Sequence, residues 1–446
     1  MTLRSPIRLT VILLALFLAA CGGGDGQLAP TTYMIGGTVS GLAAGQQVTL
    51  ANNGGDALTL TANGAFSFAT AITAGSGYAV TVTTQPTGQT CTVSNGSSSS
   101  VTANVTTVTV ACSAMARYAY VVNNGDNTVS QYTIGAGGVL TPMTAPTVAT
   151  GTSPQSITVD STGAYAYVSN LSDNTVSQYI IAADGSLTPN TPATVATGTG
   201  PWAVTLDPSG QYAYVVDGTQ NTISQYTIGA GGALTAMSPA SVATGNQPWG
   251  ITLDPAGHYA YVANHLDTTV SQYAIGASGA LTPLSPAIAP AGTRPSGIAV
   301  DPSSQYAFVA NLQDNTVSQY VIGTGGMLTA QSPATVAAGN EPVYVSLDPT
   351  GQYAYVIDYA AGNAGAISQF TIGTGGTLTP MTTPSVAAGK GPAWIAFDGT
   401  GQHAYVTNIS DNTVSQFAVG ADGSLTPLST PTVATGTKPF VVTTVY

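Results

Sequence analysis

A chain of 446 residues that is 43% hydrophobic holds enough apolar material for a large core and is not globally disordered. Only 5% of its residues are charged, its formal net charge is −12, and removal of Arg4 and Arg8 with a leader leaves four basic residues against 18 acidic ones. With no basic patch to neutralise phosphates, nucleic acid is excluded as a partner and anionic membrane surfaces are disfavoured.

Residues 1–20 read as a lipoprotein signal peptide. Arg4 and Arg8 precede an apolar run from Leu9 to Ala20, too short to span a bilayer comfortably and ending in small residues. Leu18-Ala19-Ala20-Cys21 resembles the bacterial lipobox, which implies cleavage before Cys21 and a lipid on its thiol. That resemblance places the chain in the cell envelope, anchored to a membrane through Cys21; Gly22 after the cysteine favours the outer membrane. Residues 21–32 form a flexible tether. In an exported, oxidising setting the remaining cysteines, Cys91 and Cys112, are expected to form a disulfide.

Residues 33–113 show short alternating runs, among them Gln47 to Leu50, Phe66 to Phe68, Tyr78 to Val82 and Val105 to Val110. Turn signals such as Asn63-Gly64 and Asn95-Gly96 separate them. They predict a small antiparallel β-sandwich that acts as a spacer or an adhesive module, the spacer role being the simpler.

Residues 114–446 repeat. Tyr-Ala-Tyr-Val starts at Tyr118 and returns at Tyr165, Tyr212, Tyr259, Tyr306 (as YAFV), Tyr353 and His403 (as HAYV). Each unit predicts four strands: a run after Pro, an Asp-Pro-x-Gly turn, YAYV, Thr-Val-Ser-Gln-Tyr after Asp-Asn, and a run through Leu-Thr-Pro. Four strands seven times over is a propeller pattern. The repeats start on a second strand and stop on a first one, Pro439 to Val445, so that strand is predicted to complete the blade begun at Tyr118. The fold class is therefore all-β: a seven-bladed β-propeller closed by N- and C-terminal strands sharing a blade, preceded by the small sandwich.

Tyr405-Val406-Thr407-Asn408 spells the YVTN repeat, and the D-P-x-G-x-Y-x-Y-V-x-N core is similar to that of lactonase-family propellers related to 6-phosphogluconolactonase. The resemblance covers residues 118–446 and implies the fold. No catalytic motif of the family maps onto positions here, and G-x-S-x-G is absent.

A candidate site emerges where the blades differ. The residue before the strand-initiating Pro is Ser153, Gly200, Gln247, Arg294, Glu341, Gly391 and Lys438 in turn, with Lys390 one place earlier. Glu341 is the only glutamate of the chain. Just after Pro come Trp202, Trp249, Phe440, Tyr344 and Trp394. These groups are predicted to rim the channel mouth, where Trp and Tyr suit flat faces such as sugar rings and Arg294 or Lys438 an anionic group. The alternatives are that the Trp rings plug the axis and that Arg294 and Glu341 form an ion pair between blades. His265, after a second strand on the same side, is the candidate general base. His258 and His403 read as surface substitutions on the opposite face. No metal ligand set and no cofactor motif is present: the Asp-Asn pairs read as turns because no loop offers the oxygens calcium needs. The function expected is a surface binding or scaffold module for a small molecule, sugar or protein ligand at the channel mouth; the alternative is a lactonase-like hydrolase.

Overall fold

A computed structural model of the chain describes residues 30–86, 88–114, 117–360 and 363–445. The expected signal peptide, Cys21 and most of the expected tether lie outside the described residues. The chain divides into two compact units that meet in sequence at Ser113 and Ala114.

The first unit is two four-stranded sheets and a small two-stranded one, Thr32–Tyr33 with Ile72–Thr73. One four-stranded sheet runs in the order Gly64–Ser67, Ile35–Ser40, Val105–Ala114, Gln89–Ser94; the other Asp56–Leu60, Val48–Asn52, Tyr78–Thr84, Ser97–Ser98. Ile35, Phe66, Val108 and Val110 of the first share one buried core with Val48, Leu50 and Val80 of the second. Cys91 and Cys112 are disulfide-bonded. One pairing departs from the antiparallel expectation: Val105–Ala114 runs parallel to Ile35–Ser40. The strands between them supply the long crossover that a parallel pair requires. Gly37 permits the close approach, since a Cβ there would sit 1.8 Å from the carbonyl oxygen of Val108.

The second unit is seven four-stranded antiparallel sheets. Blade 2 is typical: an inner strand Pro154–Val159, a second strand Tyr165–Asn170, a third strand Thr175–Ile181 and an outer strand Leu187–Ala196. The Asp-Pro turn forms because its carboxylate collects backbone donors. Asp207 Oδ1 accepts from the N–H groups of Gln211 at 2.9 Å and Tyr212 at 2.7 Å, while Oδ2 accepts from Ser209. The repeated aspartates are thus consumed by the turn. Tyr120, Tyr167, Tyr214, Tyr261, Tyr355 and Tyr405 are fully buried between blades. Each hydroxyl donates to a glycine carbonyl of the next blade, as Tyr167 does to Gly232 at 2.7 Å.

Blade 1 takes its inner strand from the far end of the chain. Pro439–Val445 pairs antiparallel with Tyr118–Asn123, and the seven inner strands follow one another in a closed ring. Clasps between blades cross this seam like any other. Gln178 accepts the N–H of Leu234 one blade on, and Gln416 of blade 7 accepts that of Leu140 in blade 1, both at 2.6 Å.

Candidate functional site

The inner strands present their first residues to the axis through a shared backbone device. The residue before the initiating Pro has a positive φ in all seven blades: 55° at Ser153, 69° at Gly200, 50° at Gln247, 55° at Arg294, 54° at Glu341, 63° at Gly391 and 54° at Lys438. In five of the seven an asparagine side chain of the preceding blade holds it: Asn174 Oδ1 accepts the N–H of Gly200, and Asn412 Oδ1 that of Lys438. The Asn of each Asp-Asn pair is therefore an interblade clasp as well as a turn residue. Immediately after the Pro the pairing slips, between Pro201 and Ala203 and between Pro248 and Gly250. The slip leaves Trp202 and Trp249 as bulge residues, and a bulge re-aims its side chain.

A cavity of about 600 Å³ on the propeller axis is lined by Trp202, Trp249 and Phe440, and by Tyr344 and Trp394, which are the first paired residues after the slip in their blades. These rings form two groups. Trp202 and Trp249 lie 4.9 Å apart, with Phe440 6.3 Å from Trp202. Tyr344 and Trp394 stack at 3.6 Å. Gly218 makes room for this arrangement, since a Cβ there would lie 2.3 Å from the Trp202 ring. The Ser169 hydroxyl fixes the Trp202 backbone by donating to its carbonyl at 3.0 Å. Burial raises the Tyr344 phenol above its ordinary range, so it stays protonated. Two polar atoms in the lining are buried without a partner: Gln155 Oε1, an acceptor, and Trp249 Nε1, a donor. Gln155 sits at the bulge position of blade 2, and its residue type gave no signal in the sequence.

The charged members of the expected site fall elsewhere. Arg294, Lys390 and Lys438 are exposed and Glu341 is half-buried, and none of the four lines the axial cavity. The left-handed backbone at Arg294, Glu341 and Lys438 directs the following Pro and bulge residue inward instead. Two glycines among the seven equivalents were the available clue to that conformation.

His265 is buried beneath the aromatic layer. Its ring stacks on Trp249 at 3.9 Å, and its Nδ1 lies 3.2 Å from the Pro295 carbonyl oxygen. Donating to a carbonyl requires the proton on Nδ1, which leaves Nε2 as the acceptor. Burial lowers its pKa and the nearby Arg294 lowers it further, against the carbonyl contact, so the imidazole is neutral at pH 7. His258 is on the surface, its side chain 70% exposed. His403 corrects the surface expectation, because it is buried, with Nδ1 2.8 Å from Asp398 Oδ2. Arg117 reaches the same carboxylate oxygen at 3.1 Å. His403 occupies the place of a repeat tyrosine and packs on the Gly138 hairpin of blade 1, so this cluster belongs to the closing seam. Among the described residues no group of His, Cys, Asp and Glu could hold a metal ion.

Comparison with known proteins bears on this architecture. The family model for lactonase, 7-bladed beta-propeller, matches residues 66–364 and 326–443. Solved structures with the same fold include a candidate 6-phosphogluconolactonase from Bacteroides fragilis, at 19% identity and TM-score 0.62 over 74% of this chain and 98% of that one. The periplasmic gluconolactonase PpgL of Pseudomonas aeruginosa aligns at 17% identity and TM-score 0.60, over 74% of this chain and 99% of that one. A functionally unknown protein from Desulfotomaculum acetoxidans aligns at 17% identity and TM-score 0.59, over 72% and 98%. At these identities the likeness carries the fold alone. No curated protein matches the chain. Blade count, strand order and the family match agree, and the chain belongs to the lactonase family of seven-bladed β-propellers.

Proposed function

We propose that the chain binds a neutral sugar lactone at the mouth of the central channel and opens its ring by hydrolysis. One observation carries the reading: an uncharged cavity walled by two aromatic groups, with an orphan donor on Trp249 and an orphan acceptor on Gln155. Aromatic faces pack against a sugar ring, and the two unpaired atoms answer its carbonyl and hydroxyl groups. In hydrolysis, water adds to the lactone carbonyl and the ring C–O bond breaks. On this reading the Trp249 N–H donates to the oxygen that gains negative charge, Gln155 Oε1 accepts from the attacking water, and one proton of that water passes to the released ring oxygen. A phosphorylated lactone is disfavoured because Arg294, Lys390 and Lys438 lie outside the cavity lining.

The test is a pH-stat assay of glucono-δ-lactone against its 6-phosphate. Saturable opening of the neutral lactone above the buffer rate is expected, with kcat/KM lowered about tenfold or more in Gln155→Ala and Trp249→Phe. A second reading, binding without turnover, is favoured by the lack of any carboxylate or imidazole among the described residues lining the cavity. Quenching of tryptophan fluorescence by the lactone, with ring opening at the buffer rate, would select it. The Cys21 lipobox supports placement in the cell envelope, anchored in the outer membrane. Cys21→Ser should then move the protein to the soluble fraction, and retention on membranes would refute the anchor.

A further inference from the structure

A second cavity, of about 610 Å³, opens between blades 5 and 6. Ala338, Gly339, Asp358, Ala366, Ser368 and Phe370 are among its walls, and Asp358 is the one ionisable group in its described lining. Asp358 is 3% exposed, and its Oδ1 is buried and, among the described residues, meets no donor at hydrogen-bond geometry, although the Gly339 backbone N–H lies near enough to favour the charged carboxylate. Its other oxygen, Oδ2, accepts from the Ser368 hydroxyl at 2.7 Å.

Blade 3 shows what such a carboxylate normally receives. Asp217 Oδ1 accepts from Thr197 at 2.9 Å, and Oδ2 accepts from Thr222 at 3.1 Å and Ser224 at 2.7 Å. Beside it the Tyr226 hydroxyl donates to the Ala196 carbonyl at 2.7 Å. In the groove of blade 6, Thr197 is replaced by Ala338, Thr222 by Ala366 and Tyr226 by Phe370. Three hydroxyls are gone, two of them carboxylate donors, while the acid and the serine remain. The walls left behind are mostly alanine, glycine, proline and phenylalanine, with Asn340 and Ser385 as the remaining polar lining.

The geometry points to a ligand site in this groove for the ammonium head of a small primary amine, with Asp358 Oδ1 as its anchor. A buried, ionised carboxylate short of donors is satisfied best by a donor that also carries positive charge. A neutral hydroxyl would supply the hydrogen bond and leave the charge uncompensated. A metal ion would need more oxygen ligands than the groove supplies. The apolar walls then take the alkyl body. The site lies apart from the channel mouth, so it stands whether or not the lactone reading does.

The experiment is calorimetric titration of the full chain with n-butylammonium at pH 7.5, with 1-butanol as the uncharged isostere. Butylammonium should bind saturably to the parent protein. Binding should weaken about tenfold or more in Asp358→Asn, which removes the charge, and in Ala338→Thr, which restores the hydroxyl that blade 3 gives to Oδ1. Circular dichroism establishes that both variants are folded. Absence of saturable binding, equal affinity for butanol, or unchanged affinity in the folded variants would each overturn the assignment.

Discussion

The last residue of each second strand shows how one atom's chemistry sets a local energy. Five blades carry Asn there, and two carry Asp217 and Asp358. An asparagine can donate to the neighbouring hydroxyls, as Asn170 does to Ser177 at 2.9 Å. An aspartate can only receive. Burial raises both carboxyls, and that of Asp358 is pushed up to about 6. Because the folded state holds this proton more tightly than the unfolded chain, its penalty is absent below about pH 4 and grows as pH climbs to about 6. Asp358→Asn should therefore stabilise the protein at pH 7.5 by up to about 3 kcal/mol and change little near pH 4. Urea unfolding at the two pH values checks this; equal shifts at both would refute it. None of this was legible in the sequence, where Asp and Asn at a strand end look alike. What separates them is burial and the loss of threonines 20 residues upstream and eight downstream. The tryptophans were legible, because all three fall after a strand-initiating Pro. Gln155 was not, since its importance comes from an unpaired oxygen rather than from its type.

At the level of strands and turns the sequence speaks plainly wherever the signal is local. YAYV, Thr-Val-Ser-Gln-Tyr and Asp-Pro-x-Gly each carry their conformation in four or five residues. The bulge after Pro and the left-handed residue before it leave no such mark; Arg294, Glu341 and Lys438 adopt a conformation their types do not advertise. Partners across blades are equally hidden. Gln178 reads as one more repeat residue, yet it accepts from Leu234 and donates to the Pro192 carbonyl at 2.9 Å. Gln416 makes the matching pair with Leu140 and with Thr430 at 2.8 Å. Replacing either with leucine strands a buried N–H and should cost about 1–3 kcal/mol. Because the ring has no privileged seam, Gln178→Leu and Gln416→Leu should destabilise alike in urea titrations. A markedly milder effect at Gln416 would show a loose closure.

The whole propeller depends on a pairing between Tyr118–Asn123 and Pro439–Val445. Deleting Lys438 to Tyr446 removes the inner strand of blade 1 and bares the edge of Tyr118–Asn123. The expected outcome is cooperative loss of the entire unit in calorimetry, and a variant with only a small, local loss of enthalpy would contradict it. The family match and the repeat period speak to this scale from sequence alone, because tandem copies with complementary ends can be counted without coordinates.

That pairing also carries a temporal consequence. Ribosomes make Tyr118 more than 300 residues before Pro439, so blade 1 waits, incomplete, through the synthesis of the other six. A nascent chain is thus barred from locking into its circular form until its closing segment has emerged. Prematurely terminated products would keep an open, sticky margin and be prime targets for proteolysis, so full-length synthesis is its own checkpoint for a finished molecule.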